Sequence, residues 1–324
     1  MTTIHPFAYH AARSLDDAAA RLHEPGAMAL GGGTDLLVLV EEGLARPERL
    51  VDLRRIPGSR GIERLPDGAI RIGASARIDE IARSELVRET IPALAEACEA
   101  VGTPALRAMG TIGGNLCQRP RCWYFRRGIP CLKNGGETCP AVEGENQYLA
   151  ILEGGPCHIV HPSDPAVALT ALEAVVEVAG GRDGTRRVPV ADFFVLPAER
   201  LDAETVLAPG ELVAAVEIPA GASGVQRYHK LMQRDAWDFA LVSLAAARRE
   251  NGDVRLVLGG VAPRPYRVNT SIEEDVASGN LDEQDVATLA DRALYDARPL
   301  SRNAYKLDLA AALLRRGIGE LLHA

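Results

Sequence analysis

The order of elements along this chain predicts an α+β protein built in three units. Three observations carry that expectation. Short apolar strands alternate with helical segments in the first half, a glycine loop joins a strand to a helix near residue 31, and strands precede amphipathic helices in the last third. With 324 residues, 47% of them apolar and 25% charged, the chain is long enough for several domains with full cores. A net charge of −8 argues against a nucleic-acid partner. No stretch nears the roughly 20 apolar residues that a membrane helix needs. The first twenty residues lack a basic segment followed by an apolar one, so no signal peptide is expected. The expected location is the cytoplasm, or the periplasm if a signal-bearing partner carries the chain across.

In the first unit, residues 1–58, positions 7–10 read as a strand. Ser14 then caps a helix, with Asp16 and Asp17 at the positive end of its dipole, and Pro25-Gly26 ends it. Positions 27–30 form a short buried strand that runs into Gly31-Gly32-Gly33-Thr34-Asp35 and a helix over 36–42; 49–53 is the next strand. In the second unit, residues 59–220, positions 69–74 are strand-like and 77–101 helical, with breaks at Ser84 and Ile91-Pro92. A glycine turn at 110–114 and a cysteine-rich insert over about 117–157 follow. Positions 166–178 read as a helix and then a strand, and 187–190 and 211–218 as strands. The third unit, residues 221–324, has strands over 239–249 and 254–261 and amphipathic helices over 281–294 and 304–322.

Glycines 31–33 permit positive φ and present bare backbone to a ligand. Their N–H groups can form an anion nest ahead of the helix that follows, and Thr34 adds a hydroxyl. The loop is neither a G-x-G-x-x-G fingerprint nor a P-loop, having no lysine in place; alone, it fits a tight structural turn equally well. Gly110-Thr111-Ile112-Gly113-Gly114-Asn115 repeats the same chemistry about 80 residues later. Two such loops can hold the two phosphates of one dinucleotide, and the pair is stronger evidence than either member.

Five of the six cysteines fall within 41 residues, spaced Cys117-x4-Cys122-x8-Cys131-x7-Cys139-x17-Cys157. Clustered thiols in a chain otherwise poor in cysteine point to a metal or an iron–sulfur cluster. The absence of Cys-x-x-Cys fits poorly with zinc ribbons and bacterial ferredoxin runs. Four thiolates complete a [4Fe–4S] cluster and leave one spare; structural zinc and metal-free thiols are the competing uses. Disulfide frameworks belong to small secreted chains. Arg119, Arg121, Arg126, Arg127 and Lys133 supply positive charge that stabilises thiolates. Cys98 lies in an apolar helical stretch and reads as a small buried residue. His158 and His161 read as hydrogen-bonding residues. Ser163 and Asp164 read as a helix cap, or as partners for a cofactor's ribose or phosphates.

The order Gly32-Gly33-Thr34-Asp35, Thr111-Ile112-Gly113-Gly114-Asn115 and Ser163-Asp164 resembles the FAD-binding subunit of the molybdenum hydroxylases, the xanthine dehydrogenase family. The resemblance spans nearly the whole chain. Tyr228-His229-Lys230 and positions 239–243 and 258–262 resemble its C-terminal domain. Arg121-Cys122-Trp123-Tyr124-Phe125, Pro130-Cys131, Cys139-Pro140-Ala141 and positions 157–164 are similar to the subgroup with an additional [4Fe–4S] cluster, most of all to its bacterial aldehyde oxidoreductase type.

The resemblance implies a vanillyl-alcohol-oxidase-type FAD-binding domain of two subdomains, followed by an α+β domain of the carbon monoxide dehydrogenase flavoprotein type. It implies FAD against Leu30, Gly31, Gly32, Gly33, Thr34, Asp35 and Leu36, against Gly110, Thr111, Gly113, Gly114 and Asn115, and against Ser163, Asp164 and Lys230. A cation such as Lys230 beside the flavin would stabilise a reduced, anionic ring. The resemblance implies Cys122, Cys131, Cys139 and Cys157 as cluster ligands, with Cys117 as the alternate. It further implies a heterotrimer: a large molybdenum subunit oxidises substrate, and [2Fe–2S] clusters of a small subunit pass electrons to this FAD and on to an external acceptor. No catalytic residue for substrate oxidation is expected on this chain. A free-standing flavin oxidase or dehydrogenase and a zinc-stabilised assembly protein are the competing readings.

Overall fold

In the computed structural model, which describes residues 4–181, 184–234 and 236–323, the first unit is a parallel sheet. Strands β1 (Ala8–Ala11), β2 (Ala27–Leu30) and β3 (Arg49–Asp52) lie in the order β1-β3-β2. Parallel neighbours need crossovers, supplied here by α1 (Leu15–Leu22) and α2 (Leu36–Glu41). Ser14 caps α1 by accepting from the Asp17 N–H at 3.0 Å. Ala18, Ala19 and Leu22 of that helix bury against Val51 and against Ala179, Leu212 and Ala214 of the second unit.

The second unit is built on β4 (Ile62–Arg64), β5 (Ile70–Gly73), β6 (Val175–Gly181), β7 (Gly184–Pro189) and β8 (Leu212–Ile218). They form an antiparallel sheet in the order β4-β5-β8-β6-β7. Helices α3 (Ile78–Arg83), α4 (Glu85–Thr90) and α5 (Pro92–Glu99) follow β5. Ser84 ends α3 and caps α4, while Pro92 opens α5 where no N–H partner is needed. Then come α6 (Pro104–Met109) and α7 (Ile112–Leu116). The expected turn at 110–114 is therefore the start of a helix. Thr111 caps it, accepting from the Gly114 N–H at 3.2 Å. Helix α8 (Trp123–Arg126) lies in the cysteine insert. Helix α9 (Asp164–Ala171), capped by Ser163, is buried along its whole length. Helix α10 (Val190–Phe193) begins where the strand expected over 187–190 was to end.

The third unit is an antiparallel sheet of β9 (Gly224–Leu231), β10 (Val242–Arg249), β11 (Val254–Gly259) and β12 (Tyr266–Arg267), in the order β12-β11-β10-β9. Helices α11 (Thr270–Ser278), α12 (Glu283–Ala293) and α13 (Tyr305–Leu322) cover one face. Leu244 and Ala246 of β10 pack under those helices, whereas Ala245 joins the core of the second unit. With both faces buried, β10 reads as an unbroken apolar run. It starts at Val242 rather than at 239, because 239–241 form a loop beside a cleft.

Candidate functional site

The two glycine loops abut. A Cβ on Gly32 would strike the Met109 carbonyl and the Gly110 backbone, and one on Gly31 would stand 2.7 Å from the Thr111 hydroxyl oxygen. Gly33 takes φ +77°, a conformation that costs glycine least. Gly31, Gly32, Gly33, Thr34, Asp35 and Leu36 line a cavity of about 550 Å³ between the three units, opposite Gly110, Thr111, Gly114 and Asn115. Among the described residues, the N–H groups of Gly32, Gly33 and Thr34 have no protein acceptor. Such a run of free amides attracts an anion. Leu30 and Gly113 do not line this space: Leu30 is buried at the end of β2, and Gly113 faces Ala74. Ser163 stands one layer back, its hydroxyl bonded to the Asn115 side-chain oxygen, and lines a neighbouring cavity of about 390 Å³.

Asp164 and Lys230 also line the larger cavity, but Lys230 is neither on the surface nor unpaired. Its Nζ donates to Asp164 Oδ2 at 2.8 Å and to the Ala100 carbonyl at 2.9 Å, and the Tyr228 hydroxyl donates to Asp164 Oδ1 at 2.6 Å. Burial pushes the Asp164 carboxyl up, and Lys230 and Tyr228 pull against that shift. The lysine and aspartate offset one another, so this wall of the cavity carries little net charge.

The insert's cations mostly face carboxylates rather than thiols. Asp35 accepts from Arg121 Nη1 at 2.6 Å, from Arg126 Nη2 at 2.7 Å and from the Arg119 N–H at 2.8 Å. Glu204 accepts from Lys133 Nζ at 2.7 Å and pairs with Arg119. Lys133 favours the Cys157 thiolate as well. Residues 146–150, on the insert's return, bond to the third unit. Asn303 Nδ2 donates to the Leu149 and Ala150 carbonyls, and Lys306 Nζ to those of Tyr148, Leu149 and Gly260. Nothing in the local pattern singles out Glu204, Asn303 or Lys306, since each acts on a segment far away in sequence.

Pairwise interactions link four thiols, Cys122 with Cys131 and Cys139, and Cys139 with Cys157. Cys139 and Cys157 hydrogen-bond to one another, which favours the Cys139 thiolate and raises Cys157. Cys122 is raised chiefly by burial and also feels Cys139 and Cys131. Cys117 stands apart: it lines the larger cavity, and burial pushes its thiol up to about 12. Cys98 is fully buried in α5, as its apolar neighbours predict. Among the described residues, no group of three or more His, Cys, Asp or Glu that could hold a metal ion is found.

Residues 5–221 match the family model for the FAD binding domain in molybdopterin dehydrogenase, and residues 227–321 that for the CO dehydrogenase flavoprotein C-terminal domain. The chain belongs to this FAD-binding family. One relative of the flavoprotein is the aldehyde oxidoreductase FAD-binding subunit PaoB of Escherichia coli (strain K12). The two are 37% identical over 299 residues, which cover 91% of this chain and 92% of that one. The carbon monoxide dehydrogenase medium chain of Hydrogenophaga pseudoflava is 28% identical over 267 residues, covering 81% and 77%. A solved structure of carbon monoxide dehydrogenase from Hydrogenophaga pseudoflava superposes with a TM-score of 0.72 at 26% identity, over 98% of both chains. Quinoline 2-oxidoreductase from Pseudomonas putida 86 shares the fold, with a TM-score of 0.72 at 23% identity over 99% and 98% of the two chains. The flavoprotein thus has the expected α+β fold of the carbon monoxide dehydrogenase medium chain, and these relatives are components of oxidoreductases. Among the described residues, no helix is long and apolar enough to cross a membrane.

Proposed function

We propose that this flavoprotein is the electron-transfer subunit of a heterotrimeric molybdenum hydroxylase that oxidises an aldehyde, an aromatic compound or a heterocycle. In this reading a large molybdenum subunit carries out substrate oxidation. A [2Fe–2S] small subunit delivers electrons to FAD, and FAD passes them to an external acceptor. The observation that carries the reading is the pair of abutting glycine loops, with free N–H groups at Gly32, Gly33 and Thr34, on a cavity between the three units.

Bound FAD supplies the electron-transfer chemistry. The chain's own residues hold and orient it. The free amides of residues 32–34 and the hydroxyls of Thr34 and Thr111 meet a diphosphate. Lys230, Asp164 and Tyr228, fixed to one another by buried hydrogen bonds, give that cavity a rigid wall. Phe239, stacked 5.0 Å from the Arg121 guanidinium, narrows its edge.

The reading includes an additional [4Fe–4S] cluster on Cys122, Cys131, Cys139 and Cys157. Thiols linked in pairs, Cys122 to Cys131 and Cys139, and Cys139 to Cys157, are the type of donor that such a cluster takes. Iron, acid-labile sulfide and flavin in anaerobically purified complex test both parts. The expected content is about four iron and four sulfide for this cluster per FAD, beyond that of the [2Fe–2S] subunit, with a large molybdenum subunit copurifying. Flavin without that iron would remove the cluster and keep the flavin site; neither flavin nor iron would overturn the whole. Cys139→Ala should abolish the four-iron signal and keep FAD, whereas Cys117→Ala should keep both. Unchanged iron in Cys139→Ala would sink the ligand assignment.

A further inference from the structure

Asp35 occupies the N-cap of α2, where an aspartate ordinarily accepts from the first free N–H groups of its helix. It makes no such bond. Its carboxylate instead gathers Arg119, Arg121 and Arg126 of the insert, and side-chain exposure is 15% for Asp35 and 11% for Arg126. Arg126 closes the network by donating to the Pro120 and Arg119 carbonyls. Cys122 lies between Arg121 and Arg126 as the N-cap of α8, so the same bonds hold the residues on either side of it. On the other side, Asp35 continues directly from the free amides of residues 32–34.

We propose that Asp35 couples the flavin site to the cysteine insert, so that occupancy of the glycine loop and order in the segment bearing Cys122 depend on each other. The proposal rests on the flavin reading of the cavity; it does not require the cluster. Removing the aspartate would leave guanidinium groups clustered without their anion, a costly arrangement when partly buried. Any movement of the loop on losing its ligand moves that anion. Coupling of this kind is reciprocal: a change in the insert must weaken FAD binding, although Arg126 does not line the cavity.

The test uses the full chain, stripped of flavin and titrated with FAD, with amide hydrogen exchange read over residues 117–131. In the wild type, FAD should slow exchange there. Arg126→Gln should weaken FAD binding by about five-fold or more, the lower end of measured couplings. Asp35→Asn should abolish the FAD-dependent protection, and Asp35→Glu should restore part of it. Arg302→Gln, which breaks an exposed pair with Glu145 at the far end of the insert, should change neither. A wild type that binds FAD with no change in insert exchange, or an Arg126→Gln protein with wild-type affinity, would overturn the coupling alone. A wild type that takes up no FAD would overturn the flavin reading and the coupling with it.

Discussion

Gly32 sets how closely the two loops approach. Its missing side chain is where the Met109 carbonyl sits, and a backbone carbonyl cannot move aside as a flexible side chain can. Gly32→Ala should therefore part the loops and weaken FAD binding roughly ten-fold or more, about 1.4 kcal/mol at least. The flavin-to-protein absorbance ratio after desalting measures this; full retention would show that the loops close by another route. That glycine was legible in the sequence only through the pair of loops, because three glycines between a strand and a helix fit a tight structural turn equally well on their own. Asp35 was legible as a site residue but not in its contacts, since its partners lie 84 to 91 residues away. Lys230 shows the same limit: its neutralisation by Asp164 exists only where β9 crosses the start of α9.

At the scale of elements, β3 is pinned to β1 by Asp52. This carboxylate is 1% exposed and accepts from the Tyr9 hydroxyl at 2.6 Å, from Arg54 Nη2 and Nε at 2.8 and 2.9 Å, and from the Arg54 N–H at 2.9 Å. Burial favours the neutral acid, yet these donors outweigh it and hold the pKa down at about 2, against 3.8 in the unfolded chain. The stabilisation is therefore complete above about pH 4 and disappears as pH falls through about 2. Thermal unfolding midpoints of the wild type and Asp52→Asn should differ at neutral pH and converge across that window. A gap that stays constant would show that Asp52 does not titrate there. Strand β3 was placed in advance by its apolar pattern, whereas β9 and α11 were not. Residues 224–231 mix Gly, Gln, Arg and His with few apolar positions, so neither a period of 2 nor one of 3.6 stands out.

Across the whole molecule, the insert is clipped to all three units, by Asp35 to the first, by Glu204 to the second and by Asn303 and Lys306 to the third. Lys306 is fully buried, and its three acceptors are carbonyls of residues 148, 149 and 260. Lys306→Met keeps much of the volume but removes the ammonium donor from the Tyr148 and Gly260 carbonyls, while the Leu149 carbonyl keeps Asn303. It should cost roughly 2–5 kcal/mol of stability, measured by denaturant unfolding, and should expose residues 146–150 to proteolysis before the rest of the chain. Unchanged resistance at that segment would show that Asn303 suffices to hold it.

The sequence by itself determined the α+β class, the two glycine loops, the cysteine insert, the helix break at Ser84 and the Ser14 and Ser163 caps. Each of these depends on residues within a few positions of one another, where local backbone preference and side-chain spacing decide. Tertiary structure decided which loops share a cavity, that Asp35 and Glu204 take up the insert's cations, and that Lys230 is a neutralised wall rather than a free charge. Those outcomes depend on which charges lose water together when the three units close on one another. A buried charge must find its partner wherever packing brings one, however distant it is along the chain.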